Sequence, residues 1–387
     1  MLYRKLGPNG PDVSVLGFGA MRLPVIGGQS DAIDEPLATQ MLRTAIDAGV
    51  NYVDTAFPYH GNSMTEHGHS EEVVGRALAD GYRERVHVAT KLPSWLVKTR
   101  GDMDRFLEGQ LERLGTDHLD CYLLHALNDI YWDNLESLGV MEFLDAAIAD
   151  GRIRYAGFSY HHDVPTFKRV VDAYDWTFCQ IQYNLLDVDY QAGERGLRYA
   201  AGRGLGVIAM EPLKGGRLAG HVPDDVAAAW DSAPTKRKPA EWALRWVWNQ
   251  PEVSLLLSGM SNMEQMKQNI ASANRSGIGT LSEQDATVLD TAQEAYKGLM
   301  PIPCTHCEYC MPCPSGVAIP DIFEIYNNGK AYEKKEQSIF AYNHHIQAEN
   351  RADQCVECGQ CEGLCPQHIE IIDWLKTVHT ELYEAPQ

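Results

Sequence analysis

The sequence is poor in positive charge and lacks any long apolar run. Its 387 residues include 33 Lys and Arg against 53 Asp and Glu, a formal net charge of −20. Such a chain is repelled by nucleic acid and by anionic membrane surfaces, so we expect neither as a partner. No apolar stretch approaches the roughly 20 residues of a membrane span, and the N-terminal stretch lacks the pattern of a signal peptide. These absences predict a cytoplasmic protein.

Cysteine is almost absent from the first three hundred residues, where only Cys121 and Cys179 occur, both inside apolar runs typical of buried thiols. The other eight cysteines fall in two short segments near the C-terminus. This change in composition predicts a domain boundary near residue 300. We expect a large domain over residues 1–280, a linker helix over 281–300 and a small domain over 301–387.

Short apolar strands alternate with amphipathic helices through the large domain. The predicted strands are 14–19, 52–56, 86–91, 119–125, 154–159, 177–183, 206–211 and 253–259. Apolar strands joined by helices imply a parallel sheet covered on its faces. Eight such units predict a closed (β/α)₈ barrel of the TIM type, preceded by a hairpin that closes its bottom. A doubly wound open sheet is the alternative, but its glycine fingerprint is missing.

Polar residues stand at the C-terminal ends of neighbouring strands, where such barrels carry their chemistry. Asp54 and Tyr59 follow the second predicted strand, Lys91 ends the third and His125 ends the fourth. Each residue alone has an ordinary explanation, such as an exposed Lys or a hydrogen-bonded His. Four of them in register on adjacent strands favour an active site.

The stretches VDTAFPY, ATK, YLLH and GFS resemble the signatures of the aldo-keto reductase superfamily, and the resemblance covers roughly residues 1–280. It implies an oxidoreductase that moves a hydride between a nicotinamide cofactor and a carbonyl or alcohol substrate. Tyr59 is then the proton donor, and the nearby Lys91 cation lowers the pKa of its hydroxyl. Asp54 holds Lys91 in place. His125 donates a hydrogen bond that orients the substrate oxygen.

The resemblance also implies the cofactor-binding residues. Ser159 and Gln182 hold the nicotinamide amide, and Met210 replaces the aromatic ring that usually stacks on the nicotinamide. The remaining positions are a pyrophosphate loop and an adenosine-phosphate segment: Pro212, Leu213, Lys214, Gly215 and Arg217, then Gly259, Asn262, Gln265 and Asn269. Lys214 or Arg217 can supply a cation. The second segment lacks the usual Lys or Arg, which weakens a 2′-phosphate contact. We therefore expect NAD(P) without a preference for NADP, with a flavin as an alternative.

Histidines are frequent in an insertion after Tyr59 and after the fifth strand: His60, His67, His69, His161 and His162. A metal site is one interpretation and a polar substrate loop is the other. The loop is favoured because the spacing is not that of ligands on one helix or hairpin.

The C-terminal cysteines form two runs: Cys304, Cys307, Cys310 and Cys313, then Cys355, Cys358, Cys361 and Cys365. Three cysteines at successive two-residue spacing, followed by Cys-Pro, are the [4Fe–4S] pattern of bacterial ferredoxins. The second run matches it in full, and the first is one residue short. Zinc favours paired C-x₂-C motifs and disulfides favour secreted proteins, so both are weaker interpretations. The residues between the runs are predicted to be helical.

The resemblance to two-cluster ferredoxins implies that the fourth cysteine of each run ligates the other cluster. One cluster then takes Cys304, Cys307, Cys310 and Cys365, and the other takes Cys355, Cys358, Cys361 and Cys313.

Two functional classes remain open at this point. A nicotinamide passes two electrons as a hydride, whereas a cluster passes one at a time, so exchange needs a flavin or a redox partner such as ferredoxin or flavodoxin. Otherwise the clusters are structural and stabilise a small domain. The chain is either a carbonyl/alcohol oxidoreductase or an electron-transfer protein built on a reductase barrel. The complete set of four strand-end residues favours the first.

Overall fold

The computed structural model describes residues 1–220, 222–304, 310–365 and 367–384. The chain divides into two compact units, one of residues 1–215 and 241–281, the other of residues 216–240 and 282 onward. The segment 216–240, which lies inside the predicted 1–280 region, therefore groups with the C-terminal residues. None of the helices in these described ranges has the length and apolar character needed to cross a membrane.

The first unit is a closed parallel barrel, which confirms the predicted fold and excludes the open sheet. The strands are β1 Tyr3–Lys5, β2 Asp12–Ser14, β3 Leu16–Gly19, β4 Tyr52–Asp54, β5 His87–Leu92, β6 Leu119–Leu127, β7 Ile153–Tyr160, β8 Phe178–Gln182, β9 Gly206–Met210 and β10 Val253–Gly259. Eight of them close the barrel in the order β10-β3-β4-β5-β6-β7-β8-β9, and β1 pairs antiparallel with β2.

Helices follow the barrel strands where the sequence periodicity predicted them. They are α1 Glu35–Asp47, α2 Ser70–Ala77, α3 Arg100–Leu114, α4 Asp129–Ser137, α5 Val140–Ala149, α6 Val164–Ala173 and α7 Gly193–Gly202, then, after α8 Asp224–Asp231 of the second unit, α9 Pro239–Trp248 and α10 Met263–Asn274. Local signals set their ends: Thr99 and Asp102 form a capping box on α3, and Gly115 ends it in the left-handed conformation. The sequence reasoning missed two of these helices, α8 and α4, and the signal for α4 is the N-cap Asn128.

Two apolar layers hold the barrel together. Alternate strand residues point inward and fill its centre, among them Tyr52, Phe178 and Leu255, and the rest pack outward against the helices. Leu6 and Val13, on either side of the hairpin turn, belong to the inner layer. The predicted hairpin therefore plugs the bottom of the barrel and leaves the opposite end, with the C-terminal strand ends, for the site.

The second unit is helical. Helix α8 packs on α11 Glu283–Gly298, and α12 Ile319–Ala331, α13 Lys335–His344, α14 Gln360–Leu364 and α15 Ile371–Leu382 complete it. Helices α12 and α13 lie between the two cysteine runs and confirm the helical prediction for that segment. Their apolar residues join those of α15 in a small core of their own.

Candidate active site

The end of β5 places a buried lysine between two predicted partners. Lys91 Nζ lies 2.7 and 2.8 Å from the two carboxylate oxygens of Asp54 at the end of β4. The same ammonium donates to the Thr55 carbonyl at 2.8 Å and to the Tyr59 hydroxyl at 3.3 Å. Lys91 is fully buried and Asp54 is 2% exposed. The structure thus brings these three predicted residues together.

Burial and charge act in opposite directions on these groups. Burial lowers the pKa of Lys91, but attraction to Asp54 and Tyr59 outweighs it and leaves that pKa above its ordinary value. Burial raises the pKa of Tyr59, and it outweighs the lowering effect of Lys91. The predicted lowering effect of Lys91 on the Tyr59 pKa is present, but the effect of burial is larger, so the pKa lies above its ordinary value. Tyr59 keeps its proton at neutral pH, as a proton donor must.

His125 lies beside Tyr59 at the same end of the barrel. The two rings are edge to face with centroids 6.1 Å apart, and the Trp95 ring lies 5.1 Å from His125 on another side. Burial and the nearby Lys91 charge lower the pKa of His125 well below its ordinary value, so the imidazole is neutral. Its Nδ1 atom is buried and has no hydrogen-bond partner in the structure. A neutral imidazole still has one N–H to donate.

His125 lies at a β-bulge in β6. The β6–β7 register shifts between Leu124 and Leu127, and Ala126 has a φ of +52°. Its amide donates to Ser159 Oγ at 3.1 Å. The strand therefore continues past His125 to Leu127 instead of ending on it, and His125 lies within the irregular part of β6.

A buried polar network on the outer side of the barrel supports Lys91. Gln110 on α3 donates to the Lys91 carbonyl at 2.9 Å and to Glu71 at 2.9 Å. Glu71, fully buried, also accepts from Thr90 at 2.6 Å and from Arg113 at 2.7 Å. The sequence reasoning missed this network, whose members come from separate helices and β5.

Two polar side chains face each other inside β7 and β8. The register pairs Ser159 with Gln180, and both are nearly fully buried. The Gln180 Oε1 atom has no hydrogen-bond partner, while its Nε2 contacts Met210 Sδ at 3.5 Å. Gln182 instead donates to Asp187 at 2.8 Å. An unpartnered buried amide oxygen next to Ser159 fits a ligand amide, so Gln180 is a residue that the sequence reasoning missed. The inward alternation of β8 is the signal that points to it.

The predicted pyrophosphate loop divides between the two units. Lys214 donates to the buried Asp187 at 2.6 Å, so its charge is already compensated. Pro212 is buried, Leu213 packs on the outer core, and Gly215 adopts a φ of +65°. Arg217 belongs to the second unit, where its guanidinium lies 5.8 Å from the centre of the Tyr332 ring.

The predicted adenosine-phosphate segment forms the start of α10. Asn262 caps this helix by accepting from the Gln265 amide at 2.9 Å, and Gln265 accepts from the Ser261 amide at 2.9 Å. Asn269 is buried and donates to Ser258 Oγ at 3.0 Å. Gly259 is exposed at the end of β10. These residues contribute no cation.

Hydrogen bonds hold the histidine-rich insertion in place. His60 is buried; its Nε2 accepts from the Leu23 amide at 3.1 Å, and its Nδ1 lies 2.6 Å from the Ser30 carbonyl. Trp95 Nε1 donates to the Met64 carbonyl at 2.8 Å, which fixes the insertion next to His125. These contacts favour the polar-loop interpretation.

The described cysteines of the two runs gather on the core of the second unit. Cys361 lies in that core, and five others pack against it: Cys304, Cys310, Cys313, Cys355 and Cys365. Cys358 is exposed, and Cys307 lies outside the described residues. Cysteine thiolates are soft ligands of the kind that bind iron–sulfur clusters. Within the described ranges, no three His, Cys, Asp or Glu side chains converge as a metal-binding group. The donor chemistry fits iron–sulfur clusters.

Comparison with known proteins agrees with this geometry. Residues 15–294 match the model of the aldo/keto reductase family, and residues 303–370 match that of the 4Fe-4S dicluster domain. Because the first match spans more than half of the chain, the protein belongs to the aldo/keto reductase family. It is an oxidoreductase of that type with a 4Fe-4S dicluster domain at its C-terminal side.

Individual relatives match between 69% and 76% of the chain. "Probable aldo-keto reductase 1" of Glycine max is 26% identical over 69% of this chain and 82% of its own length. "Protein tas" of Escherichia coli is 27% identical over 76% of this chain and 99% of its own. The holo form of aldo-keto reductase AKR11C1 from Bacillus halodurans superposes with a TM-score of 0.62 at 25% identity, over 76% of this chain and 96% of that one.

Proposed function

We propose that the barrel transfers a hydride between NAD(P) and a small carbonyl or alcohol substrate. The observation that carries this proposal is the buried Lys91–Asp54 pair, which directs its ammonium at the Tyr59 hydroxyl beside His125. A proton donor, a fixed cation and a neutral hydrogen-bond donor at one barrel mouth suit carbonyl reduction. The family match favours this function over an electron-transfer protein without carbonyl chemistry.

Residues of the chain have separate roles around the reacting carbonyl. The bound nicotinamide supplies the hydride, or accepts it in the reverse direction. Tyr59 gives its proton to the carbonyl oxygen as negative charge develops there, and Lys91 stabilises the resulting phenolate. His125 donates a hydrogen bond to the same oxygen and orients it.

Ser159 and Gln180 would hold the nicotinamide amide, because the amide needs both a donor and an acceptor and Gln180 Oε1 is unpartnered. Met210 forms the adjacent apolar wall. Gln182 supports this region through Asp187. The absence of cations at Gly259, Asn262 and Gln265 supports NAD(P) binding with no strong preference for NADP, and a flavin remains the alternative cofactor.

The C-terminal region is proposed to be a ferredoxin-like domain over residues 301–387 that holds two [4Fe–4S] clusters, after a barrel of residues 1–280 and a linker helix of 281–300. The cross-over assignment pairs Cys365 with the first run and Cys313 with the second. A redox partner such as ferredoxin or flavodoxin is proposed only if the clusters exchange electrons. Cluster thiolates persist in a reducing compartment, which supports the cytoplasm.

The test uses protein purified without oxygen. Fluorescence titration with NADH and NADPH should give dissociation constants within tenfold of each other, about 1.4 kcal/mol. A panel of aldehydes and ketones should then consume the reduced nicotinamide. Failure to bind either nucleotide and to reduce any carbonyl would contradict the proposal.

A further inference from the structure

The first two residues of α2 are hydrogen-bonded to the segments that carry Tyr59 and Lys91. Ser70 and Glu71 are fully buried and directly follow the histidine-rich insertion. Glu71 belongs to the network behind the Lys91 backbone. Ser70 makes a second, separate set of contacts, which lead to the Tyr59 backbone and to the Lys91 ammonium.

Ser70 holds the backbone of Tyr59. Its amide donates to the Tyr59 carbonyl at 3.2 Å, and the Tyr59 amide donates to the Ala56 carbonyl at 3.1 Å. Gly68 allows α2 to begin this close to the tyrosine, because a Cβ atom at position 68 would lie 2.1 Å from the Tyr59 carbonyl oxygen. Both polar groups of the Tyr59 backbone are therefore bonded, which restricts where its side chain can lie.

The Ser70 hydroxyl holds a residue that binds the Lys91 ammonium. Ser70 Oγ donates to the Ala20 carbonyl at 3.1 Å and lies 2.8 Å from Thr55 Oγ1. A hydroxyl has one proton to donate, so Thr55 is the donor in the second bond. The Thr55 carbonyl accepts from Lys91 Nζ at 2.8 Å. Ser70 thus fixes one of the groups that hold the ammonium.

Glu71, the next residue, fixes the backbone end of the same lysine. It accepts from Thr90 Oγ1 at 2.6 Å and from Gln110 at 2.9 Å, and Gln110 also donates to the Lys91 carbonyl. The contact between Lys91 Nζ and the Tyr59 hydroxyl is 3.3 Å, longer than the 2.7–2.8 Å contacts of the ammonium with Asp54 and Thr55. This contact depends on how two separate segments are placed, and the start of α2 is bonded to both.

We propose that Ser70 is a positioning residue, which holds Tyr59 and Thr55 so that the Tyr59 hydroxyl stays within reach of the Lys91 ammonium. The proposal rests on the proposed carbonyl chemistry of the barrel. Ser70 is fully buried, so it acts through these residues and not on the substrate. Its expected contribution is therefore to the rate of the chemical step and not to the binding of the nucleotide.

The test is a double-mutant cycle on kcat for one reactive aldehyde, with full-length protein purified without oxygen. Ser70→Ala keeps the amide bond to Tyr59 and removes the hydroxyl that holds Thr55. It should lower kcat roughly tenfold, less than the ~100-fold that a misplacement of about 1 Å can cost. The dissociation constants of NADH and NADPH should not change. In the Tyr59→Phe background, the same substitution should change kcat by less than about twofold, because no hydroxyl remains to be positioned.

Two further variants separate positioning from general stability. Thr55→Val keeps the side-chain shape, breaks the same bond from the other partner and should show the same dependence on Tyr59. The matched control is Ser14→Ala at the bottom of the barrel. Ser14 is also fully buried; its hydroxyl donates to the Leu16 carbonyl at 2.7 Å and accepts from the Asn51 amide at 3.0 Å. Ser14→Ala should lower the melting temperature about as much as Ser70→Ala and leave kcat unchanged.

Equal losses of kcat from Ser70→Ala in the wild-type and Tyr59→Phe backgrounds would overturn the positioning role. So would a loss in Ser14→Ala as large as that in Ser70→Ala, or wild-type kcat in both Ser70→Ala and Thr55→Val. Wild-type protein that binds neither nucleotide and reduces no aldehyde would overturn the proposed function itself, so the two failures are distinguishable.

Discussion

Replacing Tyr59 by Phe should remove the proton donor and leave the barrel intact. Lys91 keeps three other contacts in this variant, two to Asp54 at 2.7 and 2.8 Å and one to the Thr55 carbonyl at 2.8 Å. Only the 3.3 Å contact to the hydroxyl is lost, so we expect a stability change of about 1 kcal/mol or less. Carbonyl reduction should fall by roughly 10²- to 10⁴-fold, equivalent to about 2.7–5.4 kcal/mol of activation barrier.

Lys91→Met is the matched comparison. It leaves the Asp54 carboxylate buried without its partner, a change that typically costs about 3–5 kcal/mol of stability. The measurements are kcat/KM for one reactive aldehyde and the melting temperature of each variant. Tyr59→Phe should lose activity at unchanged melting temperature, and Lys91→Met should lose both. A Tyr59→Phe enzyme with activity within a few-fold of wild type would refute the mechanism.

Three further predictions concern the cofactor region, stability and the clusters. Gln180→Leu should raise the KM for the nicotinamide cofactor about tenfold or more, whereas Gln182→Leu should change it less, and the reverse order would contradict the assignment. Although burial raises the pKa of Asp120, hydrogen bonds and surrounding cations hold it at about 2, below the ordinary 3.8. Its stabilisation is present above pH 4 and is lost as the pH falls through about 2. Asp120→Asn should therefore cost about 2 kcal/mol of unfolding free energy near pH 7 and only a small part of that at pH 2, measured by denaturant unfolding. Anaerobic protein should hold about eight iron and eight sulfide per chain. In electron paramagnetic resonance spectra, Cys365→Ala should weaken the signal of the cluster bound by the first cysteine run, and Cys313→Ala should weaken that of the second. Loss of the signal from the cluster bound by the mutated run itself would contradict the cross-over assignment.

The pH dependence of the reaction follows from the raised pKa of Tyr59. Reduction needs the protonated phenol, so its rate should stay level up to about pH 10 and fall only above the ordinary pKa of 10.0. Alcohol oxidation needs the phenolate, so its rate should rise with pH as the phenol loses its proton. Both dependences should vanish in Tyr59→Phe, and a reduction rate that falls between pH 7 and 9 would contradict the upward shift.

The sequence predicted those parts of the molecule that depend on periodicity and strand order. The alternation of apolar strands and helices was enough to predict a barrel, and in a barrel the C-terminal ends of consecutive strands lie next to each other. That geometry is why Asp54 and Lys91, 37 residues apart, could be predicted to lie at the same end of the barrel, whereas their pairing was implied by the resemblance to aldo-keto reductases. The cysteine spacing likewise indicated the iron–sulfur domain, since the spacing itself is the ligand pattern.

The remaining features depend on local backbone geometry that no periodicity encodes. The bulge at Ala126 carries β6 two residues beyond its predicted end. Glu211 is left-handed and its carboxylate lies near Arg22, and Lys214 pairs with Asp187. Gln180 could have been found from alternation along β8, but the choice between it and Gln182 needs the β7–β8 register.

Direct hydride transfer is the central claim, and an isotope experiment tests it most directly. The anaerobic protein is given an aldehyde and reduced nicotinamide cofactor in which both hydrogens on C4 are replaced by deuterium. The alcohol product is then analysed by mass spectrometry. The account predicts one deuterium on the new carbinol carbon of each product molecule. Alcohol without deuterium, formed while the cofactor is oxidised, would mean that electrons pass through the clusters or a flavin and would contradict the account.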